Sequence, residues 1–344
     1  MQKRMFAARN SIGRMPRAVG TMSRLACASA EKAGIALDPI LEMAGLTRAQ
    51  MDNPRTAIGV SQQIEFLKLV AAALNDDLFG FHLAQTPDLR QIGLLYYVLT
   101  SSETFIDALR RGARYTSIVN EGISQKCLDR TAVGMSLQYV GVTRHRDRHQ
   151  IEFWMTAFVR LCRHLTGMRL LPSRVRFVHY RPQSPEFAEF FGDDVEFGAS
   201  SDEIVFPIGV RQTPVVGADP YLNDLLLSQC EEALSRKGKT RESFRTRVEN
   251  AIAPLLPHGH ARADEIARRL GMSPRTFARR LSLEGLTFSE LLDNLRTSLA
   301  HRHLDDRELS ITQIAWLLGY QEVASFSHAF KRWTGRTPRE ARAA

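Results

Sequence analysis

Two stretches of the C-terminal third carry the same device, and few folds accommodate it twice. The first, ADEIARRLGMSPRTFARRLSLEG, starts at Ala263; the second, SITQIAWLLGYQEVASFSHAFKRWTG, starts at Ser310. Each runs from a short apolar-faced segment through a glycine into a longer apolar-faced segment. In the first, a helix over 264–270 is expected to bury Ile266, Ala267 and Leu270. Gly271 then makes the turn, since glycine accepts positive φ without penalty. Ser273 is a good N-cap and Pro274 suits the first helical position, so a second helix follows with Phe277 and Leu281 on its buried face. In the second copy, Ser310 and Gln313 form a capping box. Ile311, Ile314, Ala315 and Leu318 give the apolar stripe, Gly319 the turn, and Val323, Phe326, Ala329 and Phe330 the buried face beyond it. The turn glycines stand 48 residues apart. Between the copies, Thr287 and Glu290 cap a helix over 288–304, which spans ~25 Å at about 1.5 Å per residue.

A short helix, a tight turn and a second helix make a helix-turn-helix, whose second helix reads a DNA major groove. The outer faces suit that task. At about 100° per residue from Phe277, Arg279 lies near 200° and Arg275 near 160°, so both point away from the core. Arginine can bond guanine O6 and N7 with a bidentate fork and so specify a base. Arg280 lies on the flank, where phosphate is the expected contact. On the second helix, Ala324, Ser325, Ser327, His328, Lys331 and Arg332 face outward. The competing reading of one such helix is a solvated charged face. Two copies held by a capped helix of this length, comparable with the ~34 Å between successive groove windows, favour DNA.

The formal charge of +9 is unevenly placed. Residues 1–30 carry six Lys/Arg and no acids, and residues 241–344 carry 17 basic against 12 acidic residues, whereas the middle is near neutral. A basic C-terminal domain fits a nucleic-acid partner. The Arg-rich start, MQKRMFAARNSIGRMPRAVG, resembles a transit peptide in composition but is expected to be a disordered basic tail over 1–20, with Met15 and Met22 as alternative starts. Cys27, Cys127, Cys162 and Cys230 show no paired spacing, which suits a reducing cytoplasm and argues against a disulfide framework or zinc knuckle. No apolar run is long enough to span a membrane.

The N-terminal portion, residues 21–235, is expected to be α+β, with helices packed on a small sheet. PILEMAGL and SQQIEFLKLVAAALN have helical spacing. The stretch from Gln91 reads as two helices broken near Ser101-Ser102. SQKCLDR and AVGMSLQYVGV are strand-like, the latter alternating at Val133, Met135, Leu137 and Tyr139. A long helix, HQIEFWMTAFVRLCRHLTG, follows, then the strand RVRFVHY, the helix PEFAEFFG and the strands VEFG and EIVFP. A linker is expected over 236–257, and an all-α domain with two helix-turn-helix motifs joined by a long helix over 258–344. Tyr96, Tyr97, Tyr139, Glu152, Trp154 and His179 are candidate effector-pocket residues, each with a place in the core as its alternative. HRDRH puts His145 and His149 four apart around Asp147, a spacing that could hold a metal on a helix. Its flanking arginines argue against one, so no metal and no cofactor is expected. The Ser-nucleophile, zinc-hydrolase and Gly-rich phosphate motifs are missing from the sequence, and no enzymatic activity is expected.

The last ~85 residues resemble the AraC/XylS-type transcription regulators. SITQIAWLLGYQEVASFSHAFKRWTGRTPREAR keeps that family's Ile-Ala helix, its Gly319-Tyr320 turn, the Phe326/Phe330 pair with Lys331-Arg332, and the closing Gly335, Thr337 and Pro338. RQIGLLYYVLTSSETFIDALRRGARY together with VEFGASSDEIVFP resembles the arabinose-binding-like effector domain of one subgroup, over roughly residues 20–225. The resemblance implies a bacterial, cytoplasmic, ligand-responsive regulator, usually an activator of catabolic or other metabolic genes. It implies promoter DNA, RNA polymerase, a small-molecule effector and a second copy of the chain as partners. Arg275, Ala278 and Arg279, with Ala324, Ser325 and His328, would face bases. Arg280, Ser327, Lys331 and Arg332 would meet phosphates. The family often has arginine near His328. Two other readings stay open: a DNA-binding module fused to an enzyme, and an effector-independent DNA binder.

Overall fold

The structure is a computed structural model that describes residues 16–142, 147–236, 244–305 and 309–343. The chain divides into two compact units. The second comprises Ser243–Ala344 with the short segments Val178–Tyr180 and Gly198–Ser200, and the first takes the remainder.

The first unit opens with strand β1 (Arg17–Ala18), paired antiparallel with β2 (Ile58–Gly59). Residues 16–20 therefore belong to the fold and not to the basic tail expected over 1–20. Two residues are too few to show a strand period, and their partner lies about forty positions on. Helices α1 (Thr21–Lys32), α2 (Leu37–Met43), α3 (Arg48–Asp52), α4 (Val60–Leu74) and α5 (Phe79–Gln85) follow. Ala26, Ala30, Leu41, Phe66, Leu67 and Val70 bury one shared face. A capping box between Thr47 and Gln50 starts α3, satisfying backbone donors that a helix end leaves open.

Helices α6 (Leu94–Thr100) and α7 (Phe105–Tyr115) are broken where the two serines stand. The Ser101 and Ser102 hydroxyls donate to the Tyr97 and Val98 carbonyls at 2.7 and 2.9 Å, so the ending helix keeps its acceptors occupied. The sheet contains β3 (Ile123–Leu128), β4 (Val133–Tyr139), β5 (Arg174–Phe177), β6 (Val195–Phe197) and β7 (Asp202–Phe206), in the order β3-β4-β7-β5-β6. β5 and β6 pair in parallel, and the other neighbours in this sheet pair antiparallel. Val133, Met135, Leu137 and Tyr139 all face the core, as period-two alternation requires. Helix α8 (Arg148–Thr166) packs Ile151, Met155, Val159 and Cys162 into that core. Helix α9 (Pro185–Phe191) adds Phe187 and Phe191, and Phe187 stacks on Phe81 at 4.6 Å. Helix α10 (Pro220–Arg236) is anchored by Asn223, whose Nδ2 donates to the Val98 carbonyl at 2.9 Å and to Ser101 Oγ at 2.8 Å.

The second unit contains α11 (Phe244–Ile252), α12 (Ala263–Arg269), α13 (Pro274–Leu283), α14 (Phe288–Asp305), α15 (Ile311–Leu317), α16 (Val323–Thr334) and α17 (Pro338–Ala343). Its core is one continuous cluster. Ile266, Phe277 and Leu281 from the first motif join Leu291, Leu295, Leu299 and Leu304 of α14, which in turn meet Ile314, Phe326 and Phe330 of the second. Each fully buried Leu, Ile or Phe contributes about 1.5–3 kcal/mol, so α14 is the spine of both motifs. Val248, Ile252, Leu255 and Leu256 are buried in the same cluster. The linker expected over 236–257 is thereby corrected: α10 reaches Arg236, and α11 with Pro254 is core. Of the charged stretch RKGKTRE, residues 236–242, Arg236 ends α10 and the rest lies outside the described residues.

Candidate nucleic-acid interface and effector pocket

Helix α13 begins where its sequence says it should. Ser273 Oγ accepts from the Thr276 backbone N–H at 3.3 Å, and Pro274 follows at the first helical position. Phe277 and Leu281 are buried, whereas Arg275, Ala278, Arg279 and Arg280 are exposed. The arginines of the preceding helix make a contrast. Arg268 and Arg269 both pair with Glu265, the latter at 3.1 Å. Arg275 and Arg279 meet no acidic partner among the described residues. Arg280 differs again, with its guanidinium 5.7 Å from the Phe244 ring centroid, a cation–π contact on the flank of the helix.

On α16, Phe326, Ala329 and Phe330 are buried, Ala324, Ser325 and His328 are exposed, and Ser327 is half-buried. Lys331 is exposed. Arg332 is also exposed but turns back to α14, with Nη2 3.3 Å from Asp293 Oδ2. A phosphate would compete with that carboxylate for Arg332. The capping boxes expected at Ser310/Gln313 and Thr287/Glu290 both form. Hydrogen bonds from the Thr287 side chain and backbone hold the Glu290 carboxyl below its usual value.

The two turn glycines are not equivalent. Both have positive φ, +67° at Gly271 and +79° at Gly319. A Cβ at Gly271 would meet nothing within 4 Å, whereas one at Gly319 would lie 2.5 Å from the Leu256 carbonyl oxygen. The second turn is also gripped from α14. Arg296 Nε donates to the Leu318 carbonyl at 3.0 Å, and the same guanidinium sits 4.7 Å over the Tyr320 ring. Arg296 was not singled out by the sequence. It lies on α14, 22 positions before the carbonyl it holds.

The six residues expected to line an effector pocket do not converge. Tyr96 bonds His164 Nε2 through its hydroxyl at 2.8 Å, and Tyr97 is 45% exposed. Tyr139 is a core residue whose hydroxyl accepts from Gln150 Nε2 at 2.9 Å. Glu152 is wholly buried and paired with the buried Arg181 at 2.9 Å. Burial pushes its carboxyl up against the pull of Arg181, so the pair is core machinery of the first unit. His179 falls in the segment Val178–Tyr180, which groups with the second unit. Of the six, Trp154 lines two cavities of the first unit. The larger, about 70 Å³, is bounded by Met22, Leu25, Leu89, Ile92 and Arg160 among others. The smaller, about 40 Å³, lies among Leu95, Leu99, Met135 and Phe158, and shares Ile92, Trp154 and Ala157 with the first. Arg160 was missed, although a lone arginine between Val159 and Leu161 in an apolar helix was its visible signal.

Of the HRDRH pair, His145 lies outside the described residues, and His149 is buried against Phe79, ring centroids 6.3 Å apart. Burial pushes the Cys27 and Cys127 thiols up to about 11 and raises those of Cys162 and Cys230. Such thiols are protonated at neutral pH and poor nucleophiles. Among the described residues no helix is long and apolar enough to cross a membrane.

Comparison with known proteins agrees with this division. Residues 34–215 match the arabinose-binding N-terminal domain of AraC transcription regulators, and residues 266–344 match a helix-turn-helix domain. An uncharacterized HTH-type transcriptional regulator of Mycobacterium tuberculosis is 26% identical over 339 residues, covering 92% of this chain and 94% of the relative. The ornithine utilization regulator of Pseudomonas aeruginosa is 25% identical over 319 residues, covering 90% and 92%. The HTH-type transcriptional regulator VirS of M. tuberculosis is 27% identical over 286 residues, covering 81% and 83%. An effector domain matched over more than half the chain, followed by two helix-turn-helix motifs on one spine, places this chain in the AraC family of DNA-binding transcription regulators.

Proposed function

We propose that α13 and α16 enter successive major grooves of one promoter site, with Arg275, Ala278 and Arg279 facing bases in the first and Ala324, Ser325 and His328 in the second. The observation that carries this reading is the state of the arginines. Those of α12 are neutralised by Glu265, while Arg275 and Arg279, outward on α13, have no acidic partner among the described residues. A free guanidinium fork matches guanine O6 and N7. Ala278 and Ala324 offer apolar contact, for example to a thymine methyl, and His328 can donate or accept. Arg280, Ser327, Lys331 and Arg332 supply phosphate contacts that set position and carry no sequence information.

The protein works in the bacterial cytoplasm as an activator that contacts RNA polymerase, binds as a dimer and controls catabolic genes. Support for the last point is the resemblance to an ornithine utilization regulator. Effector binding would favour the DNA-competent arrangement by population shift, without chemistry on the ligand. Selection of sites from a random duplex pool by the full-length chain, at fixed salt, tests the paired-groove reading. Two enriched blocks one helical turn apart support it, and a single block, or sequence-blind binding that fades with salt, rejects it.

A further inference from the structure

The larger of the two cavities lined by Trp154 is apolar over most of its wall, with two polar features. The Trp154 indole N–H is buried and finds no hydrogen-bond acceptor. A buried donor without a partner is costly and uncommon in native folds. The second feature is Arg160. Its Nη1 donates to the Ala84 and Pro87 carbonyls at 2.6 and 3.1 Å, but it meets no carboxylate among the described residues. Both side chains line the cavity. A half-buried guanidinium held only by neutral carbonyls keeps its charge available to an anion.

Of the other polar side chains of the wall, Gln91 is exposed, and Gln63, Asn120 and Asp88 are engaged. Gln63 bonds Gln150 Oε1 at 2.8 Å, and Asn120 Oδ1 accepts from the Gly122 N–H at 2.9 Å. Asp88, the one acid in the lining, is committed to Arg90 at 2.6 Å. A ligand ammonium would therefore find no carboxylate of its own. A sugar, with a hydroxyl on nearly every carbon, would leave most of its polar groups facing Met22, Leu25, Leu89 and Ile92.

We infer that this cavity binds a small aliphatic carboxylate, its anionic end at Arg160 and the Trp154 Nε1–H and its tail among Met22, Leu25, Leu89 and Ile92. The size agrees. The larger cavity, about 70 Å³, holds on the order of five water-sized spheres, and the adjoining 40 Å³ beyond Trp154 adds about three. A chain of about five to eight heavy atoms fits that space. This assignment rests on the ligand-responsive reading of the regulator and gives its effector a chemical class.

Calorimetric titration of the full-length chain tests it, using butanoate, pentanoate and hexanoate beside the matching amides, α-amino acids and arabinose. The acids should bind, and the amides should bind roughly tenfold more weakly or worse, because an ionised acceptor gains more from both donors. Trp154→Phe keeps an aromatic ring in the core and removes the donor together with part of the indole's bulk; it should weaken acid binding several-fold and leave amide binding less changed, since the lost bulk acts on both ligands and the lost donor mainly on the acid. Arg160→Lys, which keeps the charge and loses the fork, should weaken it further. Equal binding of acid and amide overturns the inference. So does binding of the amino acids or arabinose in preference to the acids, or no acid binding at millimolar concentration. DNA binding measured with each compound separates the two claims. An acid that binds without altering DNA affinity refutes its role as effector and leaves the pocket assignment intact. A different compound that alters DNA affinity while the acids fail to bind refutes the pocket assignment and leaves the ligand-responsive reading intact.

Discussion

Arg296 holds Leu318: the guanidinium Nε–H of a residue on the long helix α14 lies 3.0 Å from the carbonyl that ends α15, one residue before the turn glycine. The same guanidinium covers the Tyr320 ring on the far side of that glycine. One side chain thus clamps both sides of the second turn. Replacing it by methionine keeps the apolar stem and removes the clamp. Arg296→Met should cost about 2 kcal/mol, from a charged hydrogen bond and a cation–π contact. Thermal unfolding would register the loss, and, on the paired-groove proposal, footprinting should show protection failing first in the block assigned to α16.

The turn glycines offer a paired comparison. Gly271→Ala meets only the penalty of positive φ, about 1–2 kcal/mol. Gly319→Ala meets that penalty and a Cβ 2.5 Å from the Leu256 oxygen, which adds about 1–3 kcal/mol of overpacking. Denaturant unfolding of both variants should rank Gly319→Ala clearly lower. Equal losses would mean that the Leu256 backbone moves aside freely.

Base contacts and phosphate contacts should separate by salt. Arg279→Ala is expected to lose about 1–3 kcal/mol on the preferred site and little on a scrambled one, flattening preference at one position. Lys331→Ala should weaken both duplexes alike and lower the salt slope by about one. Arg332→Ala should lower it by less, because Arg332 must first leave Asp293. Affinity measured across a salt series for all three checks this ordering.

The first unit should show a pH-dependent clasp. His82 Nδ1 lies 2.9 Å from Asp76 and Nε2 2.8 Å from Glu186, joining α5 to α9. Burial lowers the imidazole pKa, but the hydrogen bonds to Asp76 and Glu186 outweigh it, and the net shift is upward from 6.5. The clasp's stabilisation is therefore full below the unfolded value near 6.5 and disappears as pH rises through the higher folded value. The Tm difference between the parent and His82→Gln should be largest near pH 6 and shrink above neutrality. A difference that grows with pH would refute the sign. The imidazole is partly solvated, so the effect is modest.

The two motifs and the helix between them were legible because their signals are local, whereas α11 was read as linker. Ser273, Pro274 and the two capping boxes act within one turn of the atoms they satisfy, and the expected connecting helix over 288–304 appears as Phe288–Asp305. The sheet strands were visible for a similar reason, since Val133, Met135, Leu137 and Tyr139 display their period directly. What escaped was assembled from distant pieces. β1 is two residues long and needs Ile58 to exist as a strand. The cavity wall is drawn from α1, the segment around Leu89 and α8, and no local pattern in the sequence says which wall a tyrosine joins. Glu152 is an ionisable group whose place the sequence cannot show, and its buried partner Arg181 makes it a strut.

The unbroken core around α14 has a consequence for the promoter as well as for the protein. Since Leu291, Leu295, Leu299 and Leu304 lie in one cluster with buried residues of both motifs, the two motifs share one foundation. Letters within either half of a target site can drift, with compensating changes on the outer face of a single helix. The gap between the halves has no such freedom, because altering it would require a new register of leucines along the spine. On the paired-groove proposal, the spacing of the target's halves is set by the apolar spine, in oil rather than in charge.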